Sequence, residues 1–313
     1  MGAFVSRELL TKTMSLKTTA GIGALVAVVC SAGAVFWLHQ RAGQPLPDVV
    51  TAEPPGFHAA AESVLTSSPP KKLAAEAGNS KKSAPALPAP MDAGLRLKAG
   101  EVLDYTANVS KVTNVATLSL KVAGKGNFLG KSTWHLQASA HTLNPLRMVF
   151  ELDDQFDSYS DSGTLASLQY EMHLNERGQK VESVQRMTAT GKEPAPAGAS
   201  EARVLPGTRD PLGMMGYLRT VDWKATPRVN SPVYDGHKLY DVRARLAAGS
   251  VAVTVPAGNF TTSKIEIRVF EDGAELKDAS FTLYLANDSS RTPALLEAIM
   301  PFATARVELV KAK

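Results

Sequence analysis

The sequence predicts a mainly β protein: a curled antiparallel sheet, barrel or half-barrel, with one or two short helices, preceded by a single N-terminal transmembrane helix and a disordered linker. Three observations predict this. Residues 20–38 carry no charge, residues 39–98 are crowded with proline, and from about Gly100 apolar and polar residues alternate at period two between turn sequences.

The first 19 residues form a basic segment, with Arg7, Lys12 and Lys17 against one acid, Glu8. Ala20 to Leu38 (AGIGALVAVVCSAGAVFWL) then runs uncharged. As a helix it is about 28 Å long, close to the roughly 30 Å hydrocarbon thickness of a bilayer. Basic flanks stay cytoplasmic, so the rest of the chain is expected across an inner membrane, in the periplasm. An alternative is cleavage near Ala34, where Ala32-Gly33-Ala34 fits a signal-peptidase pattern and the product is secreted or periplasmic. Cys30 is the single cysteine, so an intrachain disulfide is excluded.

Residues 39–98 hold nine prolines and one Phe, Phe57. Such a composition buries too little apolar surface to offset its ordering entropy, and a semi-extended tether is expected. The net charge of +4 belongs to residues 1–98; the remainder carries 24 basic and 24 acidic residues. A basic nucleic-acid-binding face on the globular part is therefore not expected.

Residues 99–313 form the β domain. Strands are expected over 102–109, 115–122, 132–141, 167–174, 181–190, 238–246, 250–256, 262–270, 275–285 and 302–309. Asn175-Glu176-Arg177-Gly178 signals a hairpin between two of them, and Gly124 to Ser132 (GKGNFLGKS) a glycine-rich hairpin turn. That turn lacks the glycine spacing and following helix of a phosphate loop. Asp210-Pro211 before LGMMGYLRT marks a helix start, Asp as N-cap and Pro at the first position, with Leu212, Met215 and Leu218 at helical spacing. The segment before it, 192–208, is expected to lack regular structure, and Leu295 to Met300 fits a short helix or a strand.

The most acidic stretch, FELDDQFDSYSD (150–161), carries Glu151, Asp153, Asp154, Asp157 and Asp161. Read as a strand, it turns Phe150, Leu152 and Phe156 one way and all the acids but Asp154 the other, onto a solvated face. Asp154 alone falls on the apolar side and needs a hydrogen-bonding partner. The spacing does not fit a calcium loop. His135 and His141, on one strand face, lie about 20 Å apart and cannot share a metal. No metal, cofactor or catalytic constellation is expected, and the protein is not expected to be an enzyme.

The order GEVLDYTANV, DDQFDSYSD, DPLGMMGYLRT and VTVPAGNF resembles a bacterial envelope family, domain of unknown function 3108, across residues 100–313. Its pattern falls here on Asp154, Ser158, Tyr159, Asp161, Asp210, Tyr217 and Arg219, and on the turn Val255 to Phe260. Met214-Met215-Gly216 stands where bulkier aromatics are the pattern. The resemblance implies location and fold and carries no activity. Asp154, Tyr159, Asp161, Asp210, Met215, Tyr217 and Arg219 are the candidate ligand-groove or signature residues. The expected partners are the inner membrane through residues 20–38 and an apolar ligand or envelope component; no nucleic acid is expected. The expected role is a membrane-tethered binding module, with a structural partner of an envelope assembly as the alternative.

Overall fold

A computed structural model describes residues 97–148, 150–188, 200–277, 280–300 and 303–313. The expected basic segment, membrane helix and most of the tether lie outside these residues. Among the described residues no helix is long and apolar enough to cross a membrane.

Fourteen strands join one sheet: β1 (Val102–Val109), β2 (Val112–Phe128), β3 (Lys131–Thr142), β4 (Asp153–Asp161), β5 (Ser167–Glu176), β6 (Gln179–Thr188), β7 (Ser200–Arg203), β8 (Arg228–Tyr234), β9 (Leu239–Val255), β10 (Gly258–Glu271), β11 (Ala274–Glu275), β12 (Ser280–Ala286), β13 (Pro293–Met300) and β14 (Ala303–Ala312). A 3₁₀ turn at Leu146–Met148 and one α-helix, α1 (Pro211–Thr220), complete the fold. The spatial order is β7-β6-β5-β4-β3-β2-β1-β14-β13-β12-β10-β9-β8, with β11 beside β10. Two meanders thus meet at one seam, where β1 pairs antiparallel with β14 from Leu103↔Ala312 to Val109↔Ala305.

Tight turns set the register. Leu129-Gly130, Arg177-Gly178 and Asp272-Gly273 each place two consecutive residues at positive φ. That is the two-residue hairpin geometry whose twist matches the flanking strands.

The two outer ends of the sheet approach each other across α1. The segment Thr208–Asp210 bridges them: Ser167 N donates to Thr208 O at 3.0 Å and Tyr234 N to Arg209 O at 2.8 Å. Side chains add to the closure, as Tyr234 Oη donates to Gln185 Oε1 at 2.7 Å and Gln185 Nε2 to the Gly236 carbonyl at 2.9 Å. The sheet therefore curls into a barrel-like body without a closing ladder.

Helix α1 fills the concavity. Leu212, Met214, Tyr217 and Leu218 are buried, as are Arg219 and Thr220. A helix covered nearly all round belongs in a core. Two glycines let it approach the sheet: a Cβ on Gly216 would lie 3.5 Å from Leu136 and Leu165, and one on Gly213 only 2.9 Å from Ser160 Oγ.

Several expectations need correction. Ser200–Arg203, expected within an irregular loop, is a short strand, and it pairs parallel with β6, so the sheet is not wholly antiparallel. Its four residues are too few for alternation to stand out. β8 went unexpected because Pro232 interrupts it; proline is tolerated there because β8 is an edge strand. The two strands expected over 238–256 are one continuous 17-residue strand. Residues 295–300 are strand. Met215, on the expected buried stripe, is the half-exposed member of it.

Candidate functional site

Ser158, Asp161, Asp210 and Tyr217 gather around the N-terminal part of α1, whereas Asp154, Tyr159 and Arg219 lie elsewhere. Asp210 is fully buried, and its Oδ1 accepts the Gly213 N–H at 2.8 Å as the N-cap. Its Oδ2 accepts the Ser158 hydroxyl at 2.5 Å, Ser158 shares a hydrogen bond with Ser160 at 2.8 Å, and the Asp210 N–H donates to Ser167 Oγ at 2.7 Å. Burial pushes the Asp210 carboxyl above its ordinary range, against the opposing hydrogen bonds from Ser158, Ser167 and the helix N–H groups. Beside it the Arg209 guanidinium stacks 3.7 Å from the centre of the Tyr217 ring. It donates to Ser231 Oγ and to the Thr164 carbonyl, both at 2.7 Å. Asp161 shapes the loop that presents that carbonyl, accepting from Gly163 N and Thr164 N at 2.9 Å and from Thr164 Oγ1 at 3.0 Å.

At the other end of α1, Arg219 forms a two-pronged pair with Glu101, each contact 2.8 Å, and donates to the Ser290 carbonyl at 3.0 Å. Asp161, Asp210, Tyr217 and Arg219 thus seat the helix in the sheet. Ser158 and Asp210 resemble a nucleophile and acid pair in contact, yet both are wholly buried, and among the described residues no histidine is hydrogen-bonded to either.

Met215 lies beside Arg219 and, with Leu97, Leu136 and Gly216, lines an apolar groove of about 40 Å³. By that measure the groove has room for about one or a few waters.

The acidic stretch is not one solvated face; each acid has a partner. Glu151 and Asp153 take the Arg147 guanidinium, and Asp153 also meets His141. The Arg147 hydrogen bonds outweigh burial and hold the Asp153 carboxyl down to about 2. Asp154 points inward as expected and accepts the Asn175 N–H at 2.9 Å. Burial pushes it up to about 7, opposed by that N–H and aided by Glu176 and Asp153. Asp157, expected in solvent, is buried. Burial disfavours its ionisation, but hydrogen bonds from His135, Gln155 and Gln137 at 2.6, 2.8 and 2.7 Å prevail and hold it down to about 2. Tyr159, on the same outer face, is sandwiched between Phe128 and His135, with ring centres 4.3 and 4.6 Å away. Phe128 reaches it because the long β2–β3 hairpin folds its tip over this face, which is why alternation misjudged the exposure.

Two features escaped the sequence altogether. Register places Glu171 opposite Asp157 and His173 opposite Gln155, so chemistry on different strands becomes adjacent. A cavity of about 470 Å³ opens beyond the C-terminal end of α1, between Asp222–Lys224, Gly249, Ser263 and the Ala286–Asp288 turn, with Arg291 on its wall. No spacing signal joins these residues, which come from four separate elements and loops.

No curated protein matches this sequence. Three solved structures share a similar outline. A β-barrel-like protein of the domain of unknown function DUF1849 from Brucella abortus is 11% identical, with TM-score 0.45 over 70% of this chain and 98% of that one. A candidate exported protein with a YmcC-like fold from Bacteroides fragilis is 10% identical, with TM-score 0.33 over 72% and 99%. A candidate lipoprotein from Parabacteroides distasonis is 12% identical, with TM-score 0.34 over 72% and 99%. The model of a protein family of unknown function, DUF3108, matches residues 104–310, nearly the whole barrel-like body with its Asp210-capped helix, and the chain belongs to that family.

Proposed function

We propose that this chain is a non-catalytic binding module, held at the cell envelope by residues 20–38 and presenting its β domain in the periplasm. Its ligand is an envelope-derived molecule bearing an anionic group, taken up in the cavity beside Lys224. The carrying observation is that cavity's size and charge. About 470 Å³ suits a small-molecule ligand. Asp222 and Asp288 on its wall are occupied by backbone N–H groups of their own turns: Asp222 by Lys224 and Ala225, Asp288 by Ser290 and Thr292. The exposed Lys224 ammonium has no hydrogen bond or ion pair among the described residues. The cavity therefore offers an uncommitted cation, and its polar walls suit a sugar or peptide better than a hydrocarbon chain.

The test is calorimetric titration of the detergent-extracted full chain with soluble fragments of the cell-wall polymer that carry carboxylates. Saturable binding, weakened at least about tenfold by Lys224→Glu through loss and reversal of one charge contact, is the expected result. No binding by any fragment, or binding indifferent to Lys224→Glu, would overturn the assignment. The filled concave face favours the alternative, a scaffold in an envelope assembly, and recovery of one stoichiometric protein partner without fragment binding would establish that reading.

A further inference from the structure

We infer that the outer face of β4 and β5 holds a divalent transition-metal site, of the zinc class, formed by Asp157, Glu171 and His173. One ligating atom from each lies within 4.8 Å of the other two. The sheet register produces this: Asp157 and Glu171 are direct cross-strand partners, and His173 sits two residues along β5 on the same face.

The imidazole is arranged as a ligand. Its Nδ1 meets the Glu182 carboxylate from β6, which orients the ring so that Nε2 faces Glu171. The Nε2 to Glu171 Oε2 separation is 3.6 Å, too long for a hydrogen bond. It is close to the roughly 3.4 Å that separates two ligands of a tetrahedral ion with bonds near 2.1 Å. The Asp157 carboxylate is oriented by His135, Gln137 and Gln155, the kind of outer support that metal-ligating carboxylates have.

A second, independent observation points to a missing ligand. Gln169, only 6% exposed, donates Nε2 to Glu171 Oε1 at 2.6 Å, so its carboxamide ends at this cluster. Its Oε1 has no hydrogen-bond partner. A buried acceptor left unsatisfied is costly in a folded protein, and a cation beside Glu171 gives it one. Nitrogen with carboxylate oxygens is a zinc-type donor set, whereas calcium and magnesium prefer oxygen alone. The rim stays open, since the His173 side chain is 34% exposed. The site is independent of the cavity at Lys224.

The experiment titrates cobalt(II), then zinc(II) in competition, into metal-stripped full chain, reading the cobalt ligand-field absorption and stoichiometry by calorimetry. One tightly held ion per chain is expected, with affinity lowered at least about tenfold in His173→Gln and in Glu171→Gln. His141→Gln removes a more exposed imidazole from the neighbouring Asp153 pair and should leave binding unchanged. Absence of saturable binding, or binding that survives His173→Gln, overturns the site. Binding lost equally in His141→Gln overturns it too, since that marks nonspecific surface coordination. All three variants sit on a partly exposed face and should fold, which circular dichroism would check.

Discussion

Arg219 and Glu101 are 118 residues apart in sequence and joined by two 2.8 Å hydrogen bonds inside the protein. Their side chains are 6% and 9% exposed. The pair ties the last turn of α1 to the residue preceding β1. Removing one partner leaves a buried charge uncompensated, which costs about 3–5 kcal/mol. Glu101→Ala should lose that much in urea unfolding, while the double variant Glu101→Leu with Arg219→Met should recover most of it. A single variant within 1 kcal/mol of wild type, about the worth of a surface pair, would show the pair to be solvated.

Gly213 inverts an ordinary rule. Glycine to alanine inside a helix normally stabilises by about 1 kcal/mol. Here the new methyl would meet Ser160 Oγ at 2.9 Å, the Leu165 carbonyl at 3.0 Å and Ser167 Oγ at 3.0 Å. Gly213→Ala should therefore destabilise, by about 1–3 kcal/mol as overpacking does. A rise in melting temperature would contradict the seating of α1.

Asp210→Ala removes a helix cap and leaves the Ser158 hydroxyl only its Ser160 partner, so a loss of about 1–3 kcal/mol is expected from the two effects together. Asp210→Asn keeps an acceptor for Gly213 N–H and should lose less. Equal losses in chemical denaturation would mean that the charge, not the hydrogen bonding, matters.

Asp154 makes stability depend on pH. Its folded value, about 7, lies above the unfolded value near 3.8. The folded state holds the extra proton between them, so this contribution is fully present below about pH 4 and is lost as pH rises through 7. Asp154→Asn, which retains an acceptor for the Asn175 N–H, should be more stable than wild type at pH 8 by on the order of 1 kcal/mol or more. The gap should close at pH 4. Parallel melting curves at both values would rule out the protonated carboxyl.

Much of this architecture was legible because alternation and turn chemistry are local. β1 spans the predicted Val102–Val109, and the cap at Asp210 with Pro211 behind it stands where the sequence placed it. Asp154 was identified as the inward acid by period two alone. Register was not legible: Asp157 meets Glu171 and Gln137 through pairings that no spacing encodes. Exposure failed for the same reason, since the burial of Asp157 and the covering of Tyr159 depend on which strands and which hairpin tip lie next to them. The cavity at Lys224 joins loops whose only relation is three-dimensional.

The seam between β1 and β14 has a kinetic meaning. Each meander grows from neighbouring hairpins, so either half gains contacts as soon as its own strands exist. The join between them closes a loop of about 200 residues, whose entropy no partial contact repays. High contact order of this kind slows folding toward the millisecond-to-second range. Until β14 pairs with it, β1 offers an unpaired edge, and a chain in which that pairing has not formed presents two half-sheets.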